Sequence, residues 1–510
     1  MCDSQQKLPL ECRWTKRLAR TVKRTQKPGS RTEKRFGFEV GPSRMLGWPE
    51  NVSRDRVKWE ISGYMGNVVG LFRRNRVRAL VNELRSVSPP YPATRPAIER
   101  KSDACKELGR LKAIEAIDVL IQTIRNDERY SFYDSDHVHF LRDDAANALS
   151  DLGAKAVGPL IEVLNDTEPD VRRLSAQALG AIGDQRALEP LIEGLRDRNS
   201  GARHSVARAL SQLGGERVVA VLSEALGESD MHLRLLAANT LGVIGDRQAF
   251  APLTEALRDS DAGVRGAAAK ALGRIGDRQA VALLTKALRD SDSEVRLSAT
   301  EALRELGDRQ AAEALACALH DEDGRVRKCA AKVLGNLGDR RAVEPLIEAL
   351  ADGDTDVRYF AVDALAKLGD QRASEPLVRE LRCKGKDKYL FGGGFEVSDI
   401  RSRAAEALGT MGVGDAVGLL IEIFRDRDDH TKVRTSAVKA LGRIGDRGTV
   451  GSLIRALQDE DGDIRLAAVE ALGNVGGSEA VGPLANAFCT KDDDIRLTAA
   501  GALAKLSEPS

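Results

Sequence analysis

Aromatic side chains are scarce in this chain of 510 residues, where Phe, Trp and Tyr together make up 4 %. That composition poorly serves a sheet fold, which leans on aromatic and β-branched cross-strand pairs. It suits helices packed through Ala and Leu, with charged residues at 30 %. No run of about 18 apolar residues occurs, so no membrane-spanning helix is expected. The first 30 residues hold no apolar stretch able to act as a secretory signal core. Cysteine is sparse as well: 7 residues, at positions 2, 12, 105, 317, 329, 383 and 489, form no CxxC pair and no regular spacing. Odd in number and scattered, they are expected to be reduced thiols of a cytoplasmic protein.

The chain also lacks a bulk charge of one sign, its formal net being +1. The balance is uneven, however. Residues 1–64 carry 15 Lys and Arg against 7 Asp and Glu, a net of +8 that leaves −7 for the remainder. This segment holds all three Trp (Trp14, Trp48, Trp59) and no repeat spacing. It is expected to be a basic, disordered N-terminal segment, and nucleic acid would be met only there, around Lys16, Arg17, Arg20, Lys23 and Arg24.

What the chain has in abundance is periodicity. An Arg, mostly as the second residue of a V-R pair, recurs at 172, 203, 234, 265, 296, 327 and 358, a period of 31 residues. The column continues at Arg401, Arg434, Arg465 and Arg496, and backwards to Arg142 and Lys101, which makes thirteen repeats. Seven residues after each of these positions stands a Leu, from Leu108 and Leu149 through Leu272 to Leu503. The stretch Val264–Gly276 places apolar residues at −1, +3, +4, +7 and +10 from Arg265, which is one face of a helix. Gly at +11, as in Gly276, suits the left-handed residue that ends a helix. Asp at +12, as in Asp277, suits the N-cap of the next helix, whose first half carries Pro190, Pro252 or Pro345. A single helix pair cannot bury its stripe alone, so the array is stable only collectively.

These columns resemble the HEAT-repeat family, specifically the short repeats named after phycobilisome lyases, over residues 75–506. The resemblance implies an all-α, right-handed α-solenoid, an armadillo/HEAT-type superhelix of about thirteen 31-residue helix pairs, occupying residues 65–510. It also implies that an Asp in the turn within each repeat and the Arg of the second helix form a ladder between neighbours. The acid stands six residues before the Arg in Asp166/Arg172, Asp197/Arg203, Asp259/Arg265, Asp290/Arg296, Asp321/Arg327, Asp352/Arg358, Asp428/Arg434 and Asp459/Arg465. Glu228/Arg234 and Asp136/Arg142 also fit, whereas Arg95, Phe395 and Thr490 at the acidic position should break the ladder.

In proteins of this kind the second helices line a concave surface that meets partners. The positions there that vary between repeats include +1 and +2, where adjacent large side chains occur as Leu235/Leu236 and Tyr359/Phe360. Two neighbours of that size cannot both face a core, so at least one of each is expected at the surface. Insertions interrupt the period near 130–139 and 383–396, both expected between the two helices of a pair. Tyr389 and Phe391 of the second, with Arg403 on the following helix, complete the candidate partner-binding set: Leu235, Leu236, Tyr359, Phe360, Tyr389, Phe391 and Arg403. Asp134, Asp136, His137 and His139 in the first insertion lack the ligand pattern of a zinc site, and no metal or cofactor is expected.

No nucleophile elbow or Cys/His constellation stands out, so no catalytic residue is expected. Deoxyhypusine hydroxylase shares the repeat architecture and binds two irons through His-Glu dipeptides. None of the six His here is followed by Glu. The expected function is a non-catalytic scaffold that binds another macromolecule, a protein, on the concave surface. The alternatives are a phycobilin (chromophore) lyase subunit or a related protein-modification factor, such as a deoxyhypusine-hydroxylase-like oxidoreductase without its metal motif, and nucleic-acid binding through the N-terminus.

Overall fold

Each 31-residue unit folds into a short helix and a longer one, and the sequence shows why both stop where they do. In the computed structural model, residues 54–86, 95–125, 135–384 and 395–507 are described. Around Arg265 the pair is Phe250–Ala256 and Ala262–Ile275. Gly276 ends the longer helix with φ 75°, a conformation that costs a residue with a Cβ. The Asp after such a glycine does not cap the short helix directly. Asp246 instead accepts the Gln248 amide and starts a single 3₁₀ turn, Arg247–Ala249, that leads into Phe250–Ala256. Pro252 is the third residue of that helix, where a missing N–H breaks no intrahelical bond. A second capping acid, four residues before the Arg, was not singled out from sequence. Asp261 accepts the Val264 amide at 3.1 Å, and Asp292 accepts from Glu294 and Val295.

The longer helices, from Arg95–Arg110 to Asp493–Ser507, are thirteen among the described residues, and no strand occurs among them. Leu108, Leu149, Leu179, Leu210, Leu241, Leu272, Leu303, Leu334, Leu365, Leu408, Leu441 and Leu472 are wholly buried. A matching row from the short helices, including Leu253, Leu284, Leu315 and Leu346, meets them. Each such side chain contributes roughly 1.5–3 kcal/mol on burial, and chain entropy offsets most of it.

Many successive long helices touch through a glycine eight residues after the Arg, among them Gly180, Gly242, Gly273, Gly335, Gly409, Gly442 and Gly473. A Cβ on Gly273 would lie 2.7 Å from Ala302 Cα, and one on Gly442 would lie 2.5 Å from Ala471 Cα. No described helix is long and apolar enough to cross a membrane.

The chain divides into two compact units, Met1–Arg73 and Arg74–Ser510. Residues 1–53 of the basic segment lie outside the described residues, and residues 54–64 open the helix Arg54–Arg85. The second insertion departs between Ser374–Arg382 and Val397–Met411, within a helix pair. The first lies between Ile117–Arg125 and Ser135–Leu152. Its last residues, 135–139, extend the long helix backwards instead of forming loop.

Candidate functional site

One arginine per repeat organises the turn. Arg265 sends Nη1 to the carbonyls of Asp259 and Ser260, at 2.9 and 3.2 Å. These belong to the end of the short helix, where partial negative charge collects. Its Nε and Nη2 donate, each at 2.8 Å, to the two carboxylate oxygens of Asp290 in the next repeat. Asp290 also accepts the Asp292 amide at 2.9 Å. The sixfold offset seen in sequence is thus a contact with the backbone carbonyl, and the ion pair reaches forward 25 residues.

Arg172–Asp197, Arg234–Asp259, Arg296–Asp321 and Arg327–Asp352 repeat this fork. The hydrogen bond from Arg172 holds the Asp197 carboxyl below the usual carboxylate range. For Asp259, Asp290 and Asp352 burial alone would raise it, but the arginine and the capping amide together outweigh burial, and the result is again low.

The ladder departs from the sequence pattern at several rungs, among them those of Glu228 and of Asp428, where Arg434 sends Nε to the Phe424 carbonyl at 3.1 Å. Glu228 fits by position, yet its longer side chain turns to Arg196 at 2.8 Å, and Arg203 holds only the Asp197 and Arg198 carbonyls. Arg401 pairs with Asp429, not Asp428, at 2.6 and 2.7 Å. The short helix of that repeat, Val417–Arg425, has 9 residues where Phe250–Ala256 has 7, and the acid stands 28 residues on from its arginine where the other rungs have 25.

The candidate binding surface gathers where the second insertion returns. Tyr359 and Phe360 lie on the helix Thr355–Leu368, and Phe395 stands just before Val397–Met411. Tyr359 and Phe395 stack with centroids 3.6 Å apart and planes 6° from parallel. Phe360 meets both edge-on, at 5.5 and 5.6 Å. The Phe395 amide donates to Asp356 at 2.9 Å, and the Lys332 ammonium lies 5.7 Å from the Phe360 ring centroid.

Arg403 lies beside this cluster, but it is held within the protein. Nε and Nη2 donate to Asp363 at 2.9 and 2.6 Å, and Nη1 to Glu406 at 3.0 Å. Lys328 pairs with Asp356, Lys367 with Asp363 and Lys432 with Asp399. The result is three half-buried rings inside a rim of paired charges. Burial pushes the Tyr359 hydroxyl up, with Arg403 acting against it. Burial also pushes the Cys329 thiol up to about 11, so it is no thiolate nucleophile at neutral pH.

Comparison with protein families matches HEAT repeats at residues 157–234, 225–304, 250–328, 311–385, 396–463 and 450–510, more than half of the chain. This chain belongs to the HEAT-repeat family. No curated protein gives a significant sequence match. Among solved structures, Kap95p, whose binding induces the switch loops of RanGDP to adopt the GTP-bound conformation, aligns with TM-score 0.57 and 14 % identity. That alignment covers 84 % of this chain and 66 % of Kap95p. Importin beta aligns with TM-score 0.58 and 14 % identity over 83 % of this chain and 66 % of its own. For Kap121p the values are 0.55, 12 %, 85 % and 54 %. The chain thus spans about two thirds or less of these proteins, and identities this low establish a shared fold.

Within this HEAT-repeat protein the candidate residues separate. Tyr359, Phe360 and Arg403 come together. Tyr389 and Phe391 lie outside the described residues, as does Asp134, and the side chains of Asp136, His137 and His139 are likewise outside the description. The expectation for Leu235 and Leu236 is corrected: Leu236 is buried in the core and Leu235 half-buried against it. A Cβ on Gly263 would lie 3.9 Å from Leu235 Cδ1, so this side chain fills the seam to the next long helix. Met231 and Val243 are the exposed large apolar residues of the same helix, at 43 % and 63 %. Sequence reasoning also missed Phe395 as a member of this aromatic cluster. Its signal was present in the column, as an aromatic where an acid belongs.

Proposed function

We propose that this protein is a non-catalytic scaffold of the reducing cytoplasm. It binds another protein on the face of its long helices, centred on Tyr359, Phe360 and Phe395. One observation carries the reading: in a chain 4 % aromatic, three rings pack together where the repeat is interrupted, inside a rim of lysines and carboxylates. Apolar anchors surrounded by polar groups that exclude water are the usual anatomy of an interface hot spot. The fold supports the same reading, since Kap95p, of similar fold, binds RanGDP. Assignment to the short, phycobilisome-lyase-type subclass of repeats belongs to this proposal and rests on the 31-residue columns.

The test is affinity capture from the native cell followed by mass spectrometry, with wild type beside Phe360→Ala and Lys332→Glu. A protein retained by wild type should be lost from both variants at unchanged melting temperature, Phe360→Ala weakening binding by about 1 kcal/mol or more. Equal retention by all three, with a lowered melting temperature for Phe360→Ala, would mean that the rings only pin the insertion to the helices.

A further inference from the structure

The arginine ladder has a rung with every donor in place and no acid. In the five rungs forked through Nε and Nη2, those of Arg172, Arg234, Arg265, Arg296 and Arg327, a carboxylate receives three donors: Arg Nε, Arg Nη2 and the amide two residues beyond the acid. That amide comes from Asn199, Asp261, Asp292, Asp323 or Asp354, at 2.8–2.9 Å. Between the helices Gly462–Val475 and Asp493–Ser507 the same frame stands. Arg465 is half-buried and sends Nη1 to the carbonyls of Asp459 and Glu460, both at 2.9 Å, just as its counterparts do. The acidic position, 25 residues on, is Thr490, whose hydroxyl turns back to the Ala487 carbonyl at 2.9 Å. Arg465 Nε and Nη2 therefore have no acceptor among the described residues, and neither has the Asp492 amide.

The other interrupted rungs differ. Arg203 has Glu228 at the acidic position, and Arg358 feels the charge of the half-buried Glu380. Near Arg465 the candidate carboxylates are committed elsewhere. Asp459 pairs with Arg434, Glu460 with Arg427, and Asp461 and Asp492 cap the starts of the two helices. Capping acids do not bar an anion here, because Asp261 and Asp292 hold the same places around the filled Arg265–Asp290 rung.

We propose that Arg465 Nε and Nη2, with the Asp492 amide, form a carboxylate-binding cradle that takes an Asp or Glu side chain of a protein partner. The donors are those that hold Asp197, Asp259, Asp290, Asp321 and Asp352 within the chain, so the geometry is that of a side-chain carboxylate, two parallel N–H bonds and one amide.

The test reads the Asp492 amide and Arg465 Nε–H resonances of the full chain during titration with sodium acetate against sodium chloride at constant ionic strength. A saturable shift of both is expected. The peptide acetyl-Ala-Ala-Glu-Ala-Ala-amide should produce the same shift, and its Gln counterpart should not. Thr490→Asp supplies the acid from within and should weaken the acetate response about tenfold or more, as should Arg465→Gln read at the Asp492 amide. An absent acetate shift, a response to inorganic phosphate alone, equal shifts from the Glu and Gln peptides, or an undiminished response in Arg465→Gln would each overturn the proposal.

Discussion

The run from Arg265 to Arg327 and the stretch from Arg358 to Arg434 are built from the same repeat, yet they answer their polar groups differently. In the first, the helices Ala262–Ile275, Ser293–Leu306 and Gly324–Leu337 carry the same Asp cap, the same glycine stop and the same bidentate rung. In the second, Arg358 keeps only the Asp352 carbonyl, at 2.7 Å. Arg401 takes the Leu381 carbonyl, at 2.9 Å, in place of a turn that the insertion has displaced. From Arg265 to Arg327 each arginine donor meets a copy of its neighbour's acceptor. Where the period breaks, acceptors come from other elements, and aromatic rings fill the seam.

Four measurements would break or sharpen this contrast. The largest effect is expected from Leu272→Ala, which opens a cavity in the regular core and should cost about 2–5 kcal/mol. Because each repeat leans only on its neighbours, hydrogen exchange should rise around residues 240–310 before it rises at either end. Uniform loss of protection would show that the array unfolds as one body.

Next comes Gly442→Ala, just past the interrupted stretch, where the new Cβ would meet Ala471 at 2.5 Å. Overpacking there should cost about 1–3 kcal/mol. Gly418→Ala, with nothing within 4 Å, should be neutral or stabilising by up to about 1 kcal/mol. Equal denaturation midpoints for the two variants would deny that the long helices are spaced by these glycines.

The third measurement is pH. The rung carboxyls of Asp197, Asp259, Asp290 and Asp352 titrate below their ordinary value when folded. Their contribution is therefore complete above the unfolded value, about 3.9, and disappears as pH falls through the lower folded values. The melting temperature should hold from neutrality to about pH 5 and drop below about pH 4, less steeply in Asp290→Asn. A drop already complete at pH 6 would place the acid lability outside the ladder.

The smallest effect is a gain. Thr490→Asp completes the open rung and should raise stability by about 0.5–1 kcal/mol, as a partly exposed charge-assisted pair allows. No gain in urea denaturation would mean that the rung geometry at Arg465 differs from that at Arg265.

Much of this was open to inspection in the chain itself. The Leu column, the terminating glycines and the alternation of helices are local patterns, and twelve of the thirteen leucines are wholly buried. The acid and arginine columns were equally visible, but their pairing was not. Two residues six apart in sequence look like partners, and only stacking shows that the guanidinium reaches forward to the following repeat. Leu236 misled for a related reason. A helix of a stack is covered by the helices before and after it as well as by its own partner, so a single buried face underestimates the core.

Repetition let the sequence alone determine the fold, because each unit restates the same helix stops, caps and apolar stripe, and errors at one repeat are outvoted by twelve others. Tertiary structure alone decided which rungs are filled, which side chains close the seam at the insertion, and where donors stand without an acceptor. Those outcomes depend on distances between repeats of a fraction of an ångström to a few ångströms, set by a glycine against an alanine or by a short helix two residues longer. No one-dimensional pattern carries such distances.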